Sequence, residues 1–279
     1  MVDIFDFKAR SPRFAVIGNP IKHSKSPEIH EAFAQQFGLA LSYEAISLDA
    51  TVFEQGVRNL QASGLTGLNI TVPFKQTAWQ LADELTDRAR ASKAVNTLSF
   101  SDSDLIAGDN TDGIGLMRDL ENNLGFIIKG SKILVSGAGG AARGILPALI
   151  EGQPKKIVIT NRTPSKAREL LTDLNSPENV STCPPEKIED NFDIVINATS
   201  ASLSGQVAFL REEIFGPSTL AYDLAYGDKT TAFLRWALHS GAKQTVDGLG
   251  MLVEQAAEAF YIWNRHRPDT SPVISALRT

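Results

Sequence analysis

The sequence predicts an α/β fold, because segments patterned like strands alternate with segments patterned like helices along most of the chain. The clearest unit lies between residues 132 and 163, where a strand, a glycine turn, a helix and a second strand follow one another. The chain has 279 residues, of which 43% are hydrophobic and 21% charged. It is therefore long enough for two ordinary domains, or one large domain, with a sizeable core.

The first half predicts three strands that alternate with helices. The expected order is strand 14–18, helix 27–37, strand 41–48, helix 51–63, strand 67–72 and helix 74–85. Residues 94–100 and 105–108 then predict a hairpin around Asp102-Ser103, and residues 1–11 predict a loosely attached arm.

The second half continues the alternation around the glycine turn. The expected strands are 132–136, 156–160, 192–197, 219–224 and a short one near 245–246. The expected helices are at about 113–124, 230–240 and 249–264. The unit with the glycine turn thus lies in the middle of the chain, and we expect a substrate cleft where it meets the rest.

The turn after strand 132–136 fits a dinucleotide-binding fingerprint. In the pattern G-x-G-x-x-G/A, directly after a strand and at the start of a helix, stand Gly137, Ala138, Gly139, Gly140, Ala141 and Ala142. Gly137 permits the tight turn, Gly139 lets the backbone approach a pyrophosphate, and Ala142 keeps the helix close to the strand. The free N–H groups of the helix N-terminus would bind the phosphates.

The end of the next strand indicates which dinucleotide binds. An NAD site places Asp or Glu there for the ribose 2′-hydroxyl, whereas an NADP site needs a cation for the 2′-phosphate. Strand 156–160 ends in Asn161-Arg162-Thr163, with Lys166 one turn later and no acid. Arg162 can bind phosphate in a fork, Thr163 can donate a hydroxyl and Lys166 adds a charge, so we predict NADP. The alternative is that Arg162 and Lys166 are ordinary solvated charges at a helix start.

Composition and charge exclude other classes. The net charge of −5 and the absence of a Lys/Arg-rich block give no support for nucleic-acid binding. The longest apolar runs are too short to span a bilayer, and the first residues lack a signal-peptide pattern, so we expect a cytoplasmic protein without membrane contact. The single cysteine, Cys183, is expected to be a silent thiol, and the four histidines show no metal-ligand spacing.

A polar cluster at residues 69–75 contains a candidate acid/base. Asn69 and Thr71 face the same side of a strand, and Pro73 should begin the following helix with Lys75 in its first turn. A cation there opposes the helix dipole, which suits a lysine that exchanges a proton. The alternative is a solvated lysine that tolerates a small energetic cost.

A second cluster, at residues 108–113, supplies a carboxylate. Asp112 stands where a helix N-cap is expected, and that role is the favoured interpretation from sequence alone. The functional hypothesis pairs Asp112 with Lys75, so that the carboxylate positions the ammonium beside a substrate hydroxyl. Asn96 offers one more amide at a strand start.

Two further clusters flank these segments. Ser26 before Pro27 fits an N-cap, which leaves Ser24 unexplained, and two hydroxyls at a helix N-terminus make a plausible carboxylate pocket. The glycines at 248 and 250 indicate a hinge or a close backbone approach before the last long helix. Gln255 either faces the cleft or lies on the surface.

In this order, the clusters resemble the shikimate dehydrogenases. The matching segments are 18–21, 23–27, 69–75, 94–97, 108–113, 137–141, 161–163 and 247–252. They extend over nearly the whole chain, and the segments with Lys75 and Asp112 are highly specific together. The chain departs from the family at Lys166, where Arg is frequent, and at Leu224, where Met is frequent.

The resemblance implies two α/β domains with a cleft between them. Residues 1–111, to which 248–279 return, would form the substrate domain, and residues 112–247 a Rossmann-type NADP-binding domain. Lys75 would be the catalytic acid/base, assisted by Asp112. Ser24 and Ser26 would hold the substrate carboxylate, and its ring would contact Thr71, Asn96, Asp112, Tyr226 and Gln255. Besides the glycine turn and residues 161–166, the cofactor would contact Asp87, Leu224 and Gly248.

The implied reaction is the reversible reduction of 3-dehydroshikimate to shikimate with NADPH, by a monomer or homodimer. Three alternatives stay open. A quinate/shikimate dehydrogenase that uses NAD should carry an acid at the strand end. A non-catalytic NADP-binding regulator would not need Lys75, Asp112 and the serine pair together. Another Rossmann oxidoreductase with an acidic substrate is the third.

Overall fold

The structure, a computed structural model, describes residues 11–101, 104–189, 191–199, 201, 205–206 and 210–278. The predicted arm, apart from Ser11, and the tip of the predicted hairpin at 102–103 lie outside these residues. Two six-stranded sheets with their helices make up the described fold, which confirms the predicted α/β class.

The first sheet is mixed. Its strands are β1 (Arg13–Gly18), β2 (Ser42–Ser47), β3 (Gly67–Ile70), β4 (Glu84–Leu85), β5 (Thr97–Phe100) and β6 (Ile106–Asp109). Its helices are α1 (Ser26–Gln36), α2 (Phe53–Ala62), α3 (Lys75–Leu81) and α4 (Asp87–Ser92). The strand order is β2-β1-β3-β5-β6-β4, with β5 antiparallel to both neighbours as the predicted hairpin requires.

The second sheet is wholly parallel. Its strands are β7 (Lys132–Ser136), β8 (Lys156–Thr160), β9 (Val180–Thr182), β10 (Ile194–Asn197), β11 (Leu220–Asp223) and β12 (Gln244–Asp247). The helices that accompany it are α5 (Asp112–Arg118), α6 (Gly140–Glu151), α7 (Pro164–Asp173) and α8 (Ala232–His239). The order β12-β11-β10-β7-β8-β9 is the doubly wound Rossmann order, and it reverses between β7 and β10. The glycine turn follows β7 and therefore lies at the point where such sheets bind ligands.

The last long helix, α9 (Leu249–Asn264), lies between the two sheets, and α10 (Ser271–Leu277) follows it. Phe33 of α1 packs in one apolar cluster with Val253 and Phe260 of α9. Met251, at the start of α9, instead packs in the core of the second sheet. Helix α9 therefore packs against both halves of the fold and links them. None of the described helices is long and apolar enough to cross a membrane.

Several predicted elements differ in extent. Strands 132–136 and 156–160 and helix 249–264 are confirmed to the residue. The predicted helix 74–85 ends at Leu81, because residues 84–85 pair with β6. The side chain of Thr86 then accepts a hydrogen bond from the backbone N–H of Ala89 and caps α4.

The predicted helix 113–124 is also interrupted. Its α-helical part ends at Arg118, and a π-helix covers Asp119–Asn123. The hydroxyl of Tyr222 donates to Asp119 Oδ2 at 2.6 Å, and a Cβ at Gly250 would lie 2.0 Å from Asp119 Oδ1. The wider turn thus accommodates a buried carboxylate against β11 and α9.

Candidate active site between the two sheets

Lys75 and Asp112, which the functional hypothesis paired, lie in contact. Lys75 is the first residue of α3, and Asp112 is the first residue of α5. Lys75 Nζ lies 2.5 Å from Asp112 Oδ2, and only 13% and 5% of the two side chains are exposed. Because water screens a nearly buried pair weakly, each charge holds the other in a fixed position.

Asn96, just before β5, connects this pair to α9. Its Nδ2 donates to Asp112 Oδ1 at 2.9 Å and to Gln255 Oε1 at 3.2 Å. Its Oδ1 accepts from the backbone N–H of Thr111 at 2.9 Å, and both Asn96 and Thr111 are buried. Four of the predicted site residues therefore form one hydrogen-bonded cluster, although Lys75 and Gln255 are 180 positions apart.

The N-cap interpretation of Asp112 is wrong. Thr111 occupies the N-cap position of α5, and the Asp112 carboxylate binds Lys75 and Asn96 instead of the helix backbone. Asn110 supplies the local turn, since its Oδ1 accepts from the backbone N–H of Asp112 at 3.0 Å. The carboxylate is therefore left to interact with the ammonium.

Two glycines let the surrounding helices approach this cluster. A Cβ at Gly144 of α6 would lie 2.5 Å from Asp112 Oδ2. A Cβ at Gly115 of α5 would lie 2.6 Å from Gln255 Cβ. Both distances are shorter than a van der Waals contact, so any side chain at either position would displace the polar groups.

Ser24 and Ser26 lie together at the start of α1. The backbone N–H of Ser26 donates to Ser24 Oγ at 3.3 Å. The N-cap interpretation of Ser26 is wrong, because Lys25 already has helical dihedral angles and occupies the N-cap position. Ser26 is consequently the first helical residue, and it hydrogen-bonds with Tyr43.

Tyr226 contacts the segment that carries these serines from the second sheet. It lies in the loop after β11 and hydrogen-bonds with the Lys25 backbone, and its burial raises the pKa of its phenol. In the same loop, Asp228 Oδ1 lies 3.9 Å from Lys25 Nζ. A loop of the second sheet therefore contacts Lys25, the residue between the two serines.

Sequence reasoning missed Tyr43 as a member of this region. Its hydroxyl donates to Asn69 Oδ1 at 2.7 Å, and Asn69 Nδ2 donates to the Asn96 carbonyl at 3.1 Å. A polar chain thus runs from Ser26 to Asn96. The shared strand face of Asn69 and Thr71 was the available signal, but it indicated no partner. Thr71 itself lies against the end of β1, where a Cβ at Gly18 would be 2.5 Å from Thr71 Cγ2.

The glycine turn and the end of β8 line one polar cavity of about 270 Å³. The predicted cofactor residues that line it are Ala138, Gly139, Asn161, Arg162, Thr163 and Lys166. Gly137 has a φ of +125°, which favours glycine, and a Cβ at Gly139 would meet nothing within 4 Å. The backbone of the turn is therefore open to a pyrophosphate, and Arg162 and Lys166 fit a 2′-phosphate.

Helix α6 connects this cavity to the lysine–aspartate pair. A Cβ at Gly140 would lie 3.2 Å from Lys75 Cβ, and the neighbouring Gln76 lines the cavity. Ala141 follows on the same helix and packs on the core of the second sheet. This cavity, termed the dinucleotide cavity, therefore adjoins the lysine–aspartate pair.

Three further predicted cofactor residues do not line that cavity. A Cβ at Gly248 would lie 2.3 Å from the carbonyl oxygen of Leu224, so these two backbones touch. The side chain of Asp87 is fully exposed, and its carboxylate lies 3.8 Å from Arg90. Their contact with a cofactor stays a prediction.

The fold and the site define the class of the protein, a Rossmann-type dinucleotide-dependent oxidoreductase. Family models agree and are more specific. The shikimate dehydrogenase substrate binding domain matches residues 16–98, shikimate / quinate 5-dehydrogenase matches 120–207, and the shikimate 5′-dehydrogenase C-terminal domain matches 248–278. The chain belongs to the shikimate dehydrogenase family, which confirms the resemblance of its motifs.

Individual relatives extend over almost the full chain. The NADP(+) shikimate dehydrogenase of Alkalilimnicola ehrlichii is 50% identical over 95% of this chain and 98% of its own length. The crystal structure of an Ael1 enzyme from Pseudomonas putida is 45% identical, with a TM-score of 0.89 over 96% of this chain and 99% of that one. Shikimate 5-dehydrogenase from Thermus thermophilus, in complex with NADP(H) and shikimate, is 32% identical with a TM-score of 0.84 over 96% and 98%.

Proposed function

We propose that this chain is an NADP-dependent shikimate dehydrogenase that interconverts 3-dehydroshikimate and shikimate. The contact between Lys75 and Asp112, directly beside the helix of the glycine turn, carries the proposal. The reaction needs an acid/base and a dinucleotide beside the same carbon atom. The lysine–aspartate pair and the cavity of the glycine turn adjoin, as this requirement demands. The relatives named for NADP(+)-dependent activity support the same cofactor.

The residues around the pair divide between the two ends of the substrate. Ser24 and Ser26, at the N-terminus of α1, would bind its carboxylate, with Tyr226 on the Lys25 backbone between them. Asn96 and Gln255 would orient the ring hydroxyls, since both already hydrogen-bond within the cluster around Asp112. Thr71 would contact the ring from the end of β3.

Bound NADPH supplies the hydride. In the reductive direction, the Lys75 ammonium gives its proton to the oxygen of the carbonyl group as that oxygen becomes a hydroxyl. In the reverse direction, neutral Lys75 takes the same proton back. Asp112 holds Lys75 Nζ at 2.5 Å, and Asn96 holds the other carboxylate oxygen. These contacts fix the nitrogen in one position, which supports its role as the proton donor and acceptor, and such positioned proton transfer contributes about 10²–10⁴-fold in rate.

We further propose that residues 1–111 with 248–279 act as the substrate domain and residues 112–247 as the NADP domain. The separate family models for the first and last segments support this division. We also propose a cytoplasmic enzyme that acts as a monomer or homodimer. Its single cysteine requires no oxidising compartment, and light scattering on the purified chain measures its mass.

The direct test is a spectrophotometric assay of NADPH formation from NADP and shikimate. We expect turnover with shikimate and NADP, and much lower kcat/KM with NAD, because the end of β8 has Arg162 in place of an acid. Quinate serves as the comparison substrate. Tight NADPH binding without shikimate oxidation would refute the enzyme proposal and favour a non-catalytic regulator.

A further inference from the structure

Arg143, one turn into α6, is a buried cation at the dinucleotide cavity. Its side chain is only 4% exposed, yet it lines the cavity together with Arg162 and Lys166. Arg143 Nη1 lies 2.6 Å from Asp173 Oδ2, and Nη2 lies 3.5 Å from Glu169 Oε1. Its Nε, also buried, has no hydrogen-bond partner among the residues that the structure describes. The guanidinium thus has one strong partner and spare donors.

Asp173, the strong partner, also binds a residue that accompanies the first sheet. Lys93 Nζ donates to Asp173 Oδ1 at 2.6 Å, so the two carboxylate oxygens bind one cation each. Lys93 is the C-cap residue of α4, whereas Asp173 ends α7 beside the second sheet. The ion pair therefore joins the two halves of the fold, and it is connected to the dinucleotide cavity through Arg143.

The charge of Asp173 is secured by these contacts. Partial burial raises the pKa of its carboxyl, but the hydrogen bonds from Lys93 and Arg143 outweigh that effect, and the net shift is downward. Asp173 therefore stays ionised near neutral pH, and its charge is shared between two cations. If Lys93 were absent, Asp173 would neutralise Arg143 alone.

A purely structural arginine should have its donors satisfied, because burying an unpaired polar group costs free energy. Arg143 instead faces a cavity whose other cations, Arg162 and Lys166, are placed for a phosphate. Among the described residues, Glu169 supplies the one carboxylate that lines the cavity beside them. An anion in the cavity would use the remaining capacity of the guanidinium.

We propose that Arg143 is a third phosphate-binding cation of the cofactor pocket, and that Asp173 and Lys93 are positioning residues that keep it available. The proposal rests on NADP being the cofactor. It makes the preference for a 2′-phosphate depend on Lys93, which belongs to the other half of the fold.

The test uses two fragments of the cofactor on the full chain, without substrate. Isothermal titration gives the dissociation constants of 2′,5′-ADP and 5′-AMP. The constant of 5′-AMP divided by that of 2′,5′-ADP measures the preference for the 2′-phosphate. We expect Arg143→Gln to reduce the ratio about tenfold, as for one lost charge-assisted hydrogen bond. We expect Lys93→Gln to reduce the ratio about threefold, because Asp173 then pairs with Arg143 alone and weakens the attraction of Arg143 for phosphate. Lys93→Arg, which keeps the positive charge, should retain most of the wild-type ratio.

Arg168→Gln is the matched control, since it removes the same charge from an exposed position on α7 that does not line the cavity. It should leave the ratio unchanged. If Arg143→Gln does not fold, Lys93→Gln decides, because 40% of that lysine side chain is exposed and its loss is tolerable. A folded Arg143→Gln or Lys93→Gln with the wild-type ratio overturns the proposal, as does equal weakening of both fragments. A wild-type chain that prefers 2′,5′-ADP but does not oxidise shikimate would refute only the proposed function.

Discussion

Replacement of Lys75 by alanine separates proton transfer from cofactor binding. The variant removes the ammonium that lies 2.5 Å from Asp112 Oδ2, while the residues that line the dinucleotide cavity keep their side chains. We expect kcat to fall by about 10²–10⁴-fold, which is the usual contribution of a positioned acid/base. We expect the affinity for 2′,5′-ADP to stay within about twofold of wild type, because no phosphate-binding group is lost.

The same variant should lose stability. It leaves the carboxylate of Asp112, 5% exposed, with the Asn96 amide but without its cation. Removing one partner of a buried pair lowers the free energy of unfolding by about 3–5 kcal/mol. This corresponds to a fall in melting temperature of roughly 6–20 °C for a domain of this size. Calorimetry at pH 7 measures this shift. A variant with wild-type kcat would remove Lys75 from the mechanism.

The control is Lys129→Ala, which removes an exposed lysine from the loop before β7. Its kcat, affinity for 2′,5′-ADP and melting temperature should all match wild type. If Lys75→Ala instead lost affinity for 2′,5′-ADP together with kcat, the loss would reflect a disturbed helix α6 rather than a missing proton donor. Fragment binding and turnover therefore have to be measured on the same preparation.

Three further predictions concern other parts of the molecule. Gly144→Ala would place a methyl group 2.5 Å from Asp112 Oδ2, so kcat should fall at least tenfold. Gly227→Ala is the control, because its methyl group would meet no atom within 4 Å, and its kcat should match wild type. Arg162→Gln should raise the KM for NADP about tenfold and leave the KM for NAD unchanged; equal changes would contradict its role at the 2′-phosphate. Burial lowers the pKa of His30 from 6.5 to about 3, so the unfolded chain binds more protons than the folded chain between those pH values. Stability should therefore fall by up to about 1.4 kcal/mol per unit as pH drops from 6.5 toward 3, and His30→Phe should flatten that slope in urea titrations.

Much of the fold could be predicted because the decisive elements have strong local signals. Strands β7 and β8 are short apolar runs bounded by polar residues, as buried parallel strands should be, and α9 begins directly after Gly248. The interruption at Asp119 could not be predicted, since it depends on the hydroxyl of Tyr222 on a distant strand. The two-residue strand β4 was absorbed into a longer predicted helix, and α4 was not predicted, because such short elements carry almost no periodicity.

For the site, the sequence supplied residue types and order but not contacts. The motifs identify Lys75 and Asp112, yet the sequence alone favours an N-cap role for Asp112, because the partners of its carboxylate lie on other elements. Arg143 stands next to the glycine motif and was overlooked, because Asp173 and Lys93, which give it meaning, lie 30 and 50 positions away. The glycines at 115 and 144 have functional importance only through the atoms that touch them.

These contacts make the candidate site a property of the junction between the sheets. Lys75 comes from a helix of the first sheet, Asp112 from α5 and Gln255 from α9, while α6 of the second sheet closes against both members of the charged pair. A methyl group added at Gly144 of α6 would therefore disturb proton transfer through its contact with Asp112. Conversely, Lys93 can alter phosphate recognition from the opposite side. Cofactor binding and acid/base geometry consequently depend on one interface through different residues. Substitutions at Lys75 or Gly144 should affect proton transfer and substitutions at Lys93 should affect phosphate recognition, whereas substitutions inside either core should affect stability alone.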